Sequence, residues 1–174
     1  MKTLRTLFTC GLLMLVCAAG AFAQTIQTDY DRNFNLARLK TFAFYQQDRK
    51  PGDPLAGSSI NDRRIHDALE AQLTANGLSA SDQPDFRVAY FVTTKQALDI
   101  QDNRFGLLQR RGSINVEQVT EGTLIVIFAD AATGQEVWRG YATGQITPKN
   151  LDKDVTKAVT KLVQKFKKNQ AGQK

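Results

Sequence analysis

Five consecutive apolar residues, Leu124-Ile125-Val126-Ile127-Phe128, constrain this chain more than any other stretch. They sit within a β-favouring run from Glu117 to Asp130. Successive side chains of a strand point to opposite faces. Leu124, Val126 and Phe128 would therefore point one way, and Ile125 and Ile127 the other. A strand apolar on both faces is expected at the centre of a sheet and covered on both sides.

The flanking segments supply the rest of a sheet. Ile26 to Arg32 alternates and carries β-branched residues, so it predicts a first strand. Thr41 to Tyr45 predicts a second, with Phe42 and Phe44 on one face. In Asp85 to Lys95, Phe86, Val88, Tyr90 and Val92 alternate with Arg87, Ala89, Phe91 and Thr93, which predicts a third. The apolar run itself is the fourth. Ala132-Thr133-Gly134 turns the chain into a fifth, Gln135 to Ile146, where Gly140 suggests a bulge or a close backbone approach. Trp138 in that strand is expected to pack in the core or on the sheet.

Two segments have helical period. Ser59 is expected to cap the first helix, with Asp62 closing a capping box. Ile65, Ala68, Leu69 and Leu73 form its apolar stripe. Asn76-Gly77 ends it, glycine being suited to a left-handed cap. The second helix starts at Asn150 or Asp152 and runs to about Lys168, with Val155, Ala158, Val159, Leu162 and Phe166 as its buried face. The order ββαβββα predicts an α+β fold, a mostly antiparallel five-stranded sheet with two packed helices. The connection from Gln46 to Gly57, with Pro51, Gly52, Pro54 and Gly57, is expected to be exposed.

Residues 1–23 predict a signal peptide. Lys2 and Arg5 precede an apolar run from Leu7 to Ala19, and Ala21-Phe22-Ala23 places small residues at a cleavage site. The run is shorter than the ~20 residues that span a bilayer. Cleavage after Ala23 would place the protein in the periplasm or outside the cell. Processing at Cys17 would instead make it a membrane-anchored lipoprotein, although Val16 is not the small residue that such processing favours. The full chain has 174 residues and a net charge of +6; without Lys2 and Arg5 its 23 cationic residues become 21 against 17 acidic, a net of +4. Both cysteines, Cys10 and Cys17, lie in the signal, so the remaining single domain, residues 24–168, would have neither disulfide nor thiol nucleophile. Residues 169–174 are expected to form a flexible polar tail, and no transmembrane segment is expected in the mature chain.

The residues offer little to catalysis. His66 is the single histidine and is expected at the edge of the first helix's apolar stripe. Without cysteine or a second histidine it cannot form the usual zinc sets. Asp29 and Asp31 share one side of a strand; paired carboxylates can do acid–base work or bind calcium, although no further oxygen ligands lie close in sequence and a solvated strand face that discourages edge pairing is the favoured reading, so a carboxylate-dependent hydrolase acting on envelope polymers is the alternative function. Asp82 and Asp85 fit turn chemistry. Ser58-Ser59 and Thr93-Thr94 have no G-x-S-x-G context, and no phosphate loop or dinucleotide fingerprint occurs. No catalytic residue, metal or cofactor is expected.

Binding has more support. Lys153, Lys157, Lys161 and Lys165 follow each other at four-residue spacing on the last helix, and Lys149, Lys167 and Lys168 extend the stripe. Such a stripe is either a solvated face or a contact for an anionic surface. Between the third and fourth strands, Arg104-Phe105-Gly106-Leu107-Leu108 is followed by Arg110-Arg111-Gly112, and apolar tips flanked by arginines suit a membrane surface or a protein partner; strand extension would explain the same stretch. The expected partner is an envelope protein or an anionic envelope surface, and not nucleic acid.

Several stretches in order resemble one bacterial family, domain-of-unknown-function family 4136. They are Thr28-Asp29-Tyr30-Asp31 with Phe34, Leu39-Lys40-Thr41-Phe42-Ala43-Phe44, Asp62-Arg63-Arg64-Ile65, Gly77-Leu78, Pro84-Asp85-Phe86-Arg87-Val88-Ala89-Tyr90, Glu121-Gly122-Thr123-Leu124 and Val137-Trp138-Arg139-Gly140. The resemblance implies an exported envelope protein, often a lipoprotein, of no established activity. It therefore carries no catalytic residue onto this chain.

Overall fold

The computed structural model describes residues 24–45, 55, 58–100, 116–146 and 148–173. The signal segment, the Arg104–Arg111 stretch and all of the Gln46–Gly57 connection except Leu55 lie outside the described residues.

The fold is α+β, with two helices on a mixed six-stranded sheet of order β1-β6-β5-β4-β2-β3. The strands are β1 (Thr25–Tyr30), β2 (Thr41–Phe44), β3 (Ser79–Ala80), β4 (Phe86–Ile100), β5 (Val116–Asp130) and β6 (Glu136–Ile146). The helices are α1 (Ser59–Ala75) and α2 (Leu151–Ala171). The expected five antiparallel strands gain a sixth, because Ser79–Ala80 pairs parallel with β2. The β2 strand also runs parallel to β4, with Phe42 opposite Phe86. Helix α1 makes this parallel arrangement possible, since it returns the chain to the end of the sheet from which β2 started.

Asp85 fixes the parallel corner. Its carboxylate accepts from the backbone amides of Lys40 and Thr41 at 2.8 Å each, and its own amide donates to the Thr41 hydroxyl at 2.9 Å. These two backbone donors favour the ionised form and hold the Asp85 carboxyl below its ordinary value of 3.8. The residue thus does more than the turn expected of it: it joins β2 to β4 where the ladder begins.

The apolar strand β5 is central, between β6 and β4. Its coverage differs from expectation. Leu124, Val126 and Phe128 are buried beneath the helices. On the other face Ile125 and Ile127 are half-buried, in register with Phe91, Ala89, Tyr141 and Arg139. Among the described residues no second layer of helices covers that face; cross-strand neighbours with long side chains shield it instead.

The β4–β5 ladder continues to Ile100 opposite Val116, so part of the expected long connection is strand. The last pair of the β5–β6 ladder is Thr120 with Ile146. Beyond it β4 and β5 pair only with each other. The β5–β6 register shifts between Phe128 and Ala129, which places the bulge at Val137 and not at Gly140. Gly140 is a close approach: a β-carbon there would lie 2.5 Å from the Trp138 ring and 2.7 Å from Leu162 Cδ2.

Ser58, one residue before the expected cap, caps α1 by accepting from the Asn61 amide. The Asp62 carboxylate accepts from the Tyr90 hydroxyl at 2.9 Å, tying α1 to β4. Gly77 holds the left-handed cap at φ 79°. Helix α2 extends past Lys168, and the expected flexible tail is docked through Gln173. Asn169 accepts from the Trp138 indole N–H at 3.2 Å. Buried Gln170 donates to the carbonyls of Leu36 and Leu39, and the Gln173 carboxamide oxygen accepts from the Leu36 amide. Those groups lie on a short 3-10 turn, Leu36–Arg38, and its C-cap Leu39, and the contacts satisfy the Leu36 amide and the Leu39 carbonyl.

The core is aromatic at one end. Phe128 stacks on Trp138 with centroids 4.8 Å apart, and Phe166 meets both rings edge-on at 4.8 and 5.5 Å. Phe86 joins them at 4.9 Å from Phe128. Trp138 is a core residue, as expected.

Candidate functional site

The helix-facing rows of β5 and β6 are bulkiest at that aromatic end and smallest at the other. Phe128 lies opposite Trp138, Val126 opposite Gly140, Leu124 opposite Ala142, and Gly122 opposite Gly144. Where both rows end in glycine, the sheet has no side chain to fill the space beneath the helices. A cavity of about 420 Å³ occupies it, bounded by the first turns of α1 and α2. The two glycines permit the walls. A β-carbon at Gly122 would lie 1.9 Å from Ile146 Cδ1, and one at Gly144 would lie 2.9 Å from Gln24 Cγ. Only glycine lets Ile146 and Gln24 lie across the sheet. Ile65, Val92, Leu124 and Val155 complete an apolar lining.

The cavity mouth is polar. Arg64 there is ion-paired with Asp152 and donates to Asn61 Oδ1 at 2.6 Å. Gln24 Nε2 donates to the Asp154 carbonyl at 3.1 Å, while Gln24 Oε1 is buried without a partner. Nothing in the sequence signals this cavity, because each small residue is unremarkable within its own strand.

Helix α2 carries the second feature. Its buried stripe holds Ala158, Val159, Leu162, Val163, Phe166 and Gln170. Lys153, Lys157 and Lys165 are exposed and Lys161 half-buried, on the side opposite that stripe. Lys168 and Lys149 are exposed as well. Burial, and after it the Lys40 ammonium, pulls the Lys167 ammonium below the ordinary lysine range, so Lys40 adjoins the same basic surface. Among the described residues none of the six α2 lysines makes an ion pair. By contrast, Arg38 pairs with buried Asp130 at 2.6 Å, Arg64 with Asp152 and Arg139 with Glu136. Arg104, Phe105, Leu107, Leu108, Arg110 and Arg111 lie outside the described residues.

The residues weighed for catalysis are not gathered. Asp29 is exposed on the strand face away from the helices, opposite Arg139, and its carboxylate accepts from the next amide. Asp31 closes a local turn with the Asn33 amide. Neither lines the cavity. His66 lies at the edge of α1's buried stripe, with its ring 3.9 Å from Phe44. Its ligand atoms lie with those of Asp67 and Glu70 within 4.8 Å of one another, but the two acids are exposed, and such clusters are ordinary on helix surfaces. Among the described residues no helix is long and apolar enough to cross a membrane.

Comparison with known proteins agrees with the fold. A PDZ domain protein from Parabacteroides distasonis superposes with a TM-score of 0.55 at 15% identity, over 81% of this chain and 35% of that one. The chain thus spans about a third of that relative's length. A PelC dodecamer from Paraburkholderia phytofirmans gives 0.47 at 13% identity, covering 83% and 97% of the two chains. A candidate lipoprotein from Caulobacter crescentus gives 0.44 at 13% identity, covering 82% and 96%. The first likeness concerns the fold alone. No curated protein matches the chain. The family model for a domain of unknown function, DUF4136, matches residues 26–166, and the chain belongs to that family.

Proposed function

We propose that this is a non-catalytic envelope module that binds an anionic surface through the lysine ridge of α2. The observation that carries the proposal is the unpaired state of that ridge. Lysines four residues apart on a helix repel one another, and nearby carboxylates would relieve that repulsion. The two acids of α2, Asp152 and Asp154, instead lie in its first turn, where they complement the helix dipole. The lysines thus point at solvent as a row of uncompensated charge, suited to a surface of repeated negative groups. Export through the residue 1–23 segment belongs to the same proposal, as does the Arg104–Arg111 stretch as a further contact.

Flotation with phosphatidylglycerol vesicles over a salt series tests it. Binding should weaken as ionic strength rises, and phosphatidylcholine vesicles should not bind. Replacing Lys153, Lys157, Lys161 and Lys165 together with glutamine should abolish binding while leaving the unfolding transition intact. Salt-insensitive binding, or undiminished binding by that variant, overturns the proposal. Mass measurement of the exported product decides between cleavage after Ala23 and lipid on Cys17.

A further inference from the structure

We infer that the cavity at the glycine end of the sheet is a binding site for a single alkyl chain whose head group is uncharged and donates a hydrogen bond. Its volume, about 420 Å³, lies within the range of small-molecule sites. Its floor of Gly122, Ala142 and Gly144 and the Ala158 of α2 facing it offer no polar side chain, and Leu55, Ile65, Val92, Leu124, Ile146 and Val155 line it with aliphatic groups. An apolar gap of this size weakens a fold unless something fills it, and the aromatic end of the same core shows that this sequence can pack tightly. An unbranched chain suits a trough between a sheet and two helices better than a flat ring system, because among the described residues no aromatic side chain lines it.

The mouth selects the head group. Among the described lining side chains the one cation, Arg64, is already paired with Asp152. The unmet demand is for a donor. One end of the Gln24 carboxamide is engaged by the Asp154 carbonyl, and the other, Oε1, is a buried acceptor with no partner. Such an atom is costly to leave unsatisfied. A hydroxyl or amide N–H on the ligand head would satisfy it, and the carboxamides of Asn61 and Gln145 and the Thr94 hydroxyl lie on the same lining. The occupant is therefore of the monoacylglycerol or fatty-amide class. Its charge preference is opposite to that of the lysine ridge, so the two sites can be told apart.

Titration calorimetry with 1-monolauroylglycerol and with dodecanoate, both below their aggregation limits, tests the inference. Wild type should bind one monolauroylglycerol, at least ten-fold more tightly than dodecanoate. Ala158→Leu, which fills the cavity from the α2 side, should weaken binding at least ten-fold with an unchanged or higher unfolding midpoint. Gln24→Leu should remove most of the preference for the glyceride. Replacing the four ridge lysines should change nothing. A diazirine-bearing alkyl glyceride should crosslink to cavity-lining peptides of the wild-type protein, a result that does not depend on any variant folding. Absence of saturable binding overturns the inference, as do a preference for dodecanoate, full binding by folded Ala158→Leu, and adducts confined to other surfaces.

Discussion

Gly140→Ala should destabilise the protein through steric conflict, and the structure allows its size to be worked out. The new methyl would lie 2.5 Å from Trp138 Cη2 and 2.7 Å from Leu162 Cδ2. Neither group can swing aside freely: the indole is stacked on Phe128 and abutted by Phe166, and Leu162 is fully buried. Overpacking of this kind costs about 1–3 kcal/mol. Removing a glycine from the unfolded chain offsets roughly 0.4–1 kcal/mol of that. The net loss should be about 1–2 kcal/mol, a fall in Tm of roughly 3–8 °C for a domain of this size. The chain has a single tryptophan, itself buried in the affected cluster, so its fluorescence in a urea titration reports both unfolding and the local packing. Leu162→Ala alone should cost about 2–5 kcal/mol, but in the Gly140→Ala background its effect should be about 1 kcal/mol smaller, because it removes the clash. Gly134→Ala is the control: at φ 71° with nothing within 4 Å, it should be destabilising through backbone strain alone and leave the folded-state tryptophan spectrum untouched. Gly140→Ala within 0.5 kcal/mol of wild type, or strict additivity with Leu162→Ala, would refute the steric reasoning.

Two further outcomes follow from polar contacts. Asp85→Asn should weaken the fold by about 1 kcal/mol at pH 7 by removing the charge from two amide-accepted bonds, as measured by urea unfolding. Because the folded-state pKa of Asp85 is depressed, its contribution is complete above the unfolded-state value of about 3.9 and is lost as pH falls through the lower folded-state value. Wild type and variant should therefore converge in acid, and a constant gap from pH 7 to pH 2 would contradict this account. Gln170→Leu should cost about 1–3 kcal/mol, because it strands the Leu39 carbonyl and leaves the Leu36 carbonyl with only its bond from the Leu39 amide; amide exchange should accelerate first around Leu36–Leu39, and uniform acceleration would count against the assigned role.

Much of the fold was legible from side-chain period. The alternation of Phe86, Val88, Tyr90 and Val92 marked β4, and Ile65, Leu69 and Leu73 marked the buried face of α1. What escaped depended on pairings distant in sequence. Ser79–Ala80 is two small residues, and only the β2 edge makes them a strand. Gln170 reads as a polar tail residue until the carbonyls of Leu36 and Leu39 are placed against it. The basic row was visible in the spacing of Lys153, Lys157, Lys161 and Lys165, whereas its lack of counter-charge was not. The cavity was invisible for a stricter reason: it arises from the register that sets Gly122 against Gly144 and Leu124 against Ala142, and neither strand alone encodes it.

The pairing of β1 with β6 also bears on how the chain can be assembled. Thr25–Tyr30 finds its partner in Thr143–Trp138, and the 3-10 turn after it is satisfied by Gln170, 134 residues downstream of Leu36. A polypeptide emerging from its N-terminus therefore cannot complete its sheet until β6 has been made, nor satisfy its 3-10 turn until Gln170 has. Closure of such long loops slows folding. Until that closure, the β1 segment is an unpaired edge. The order of synthesis thus favours a long-lived open chain, and the final turns of α2 provide the step that locks it shut.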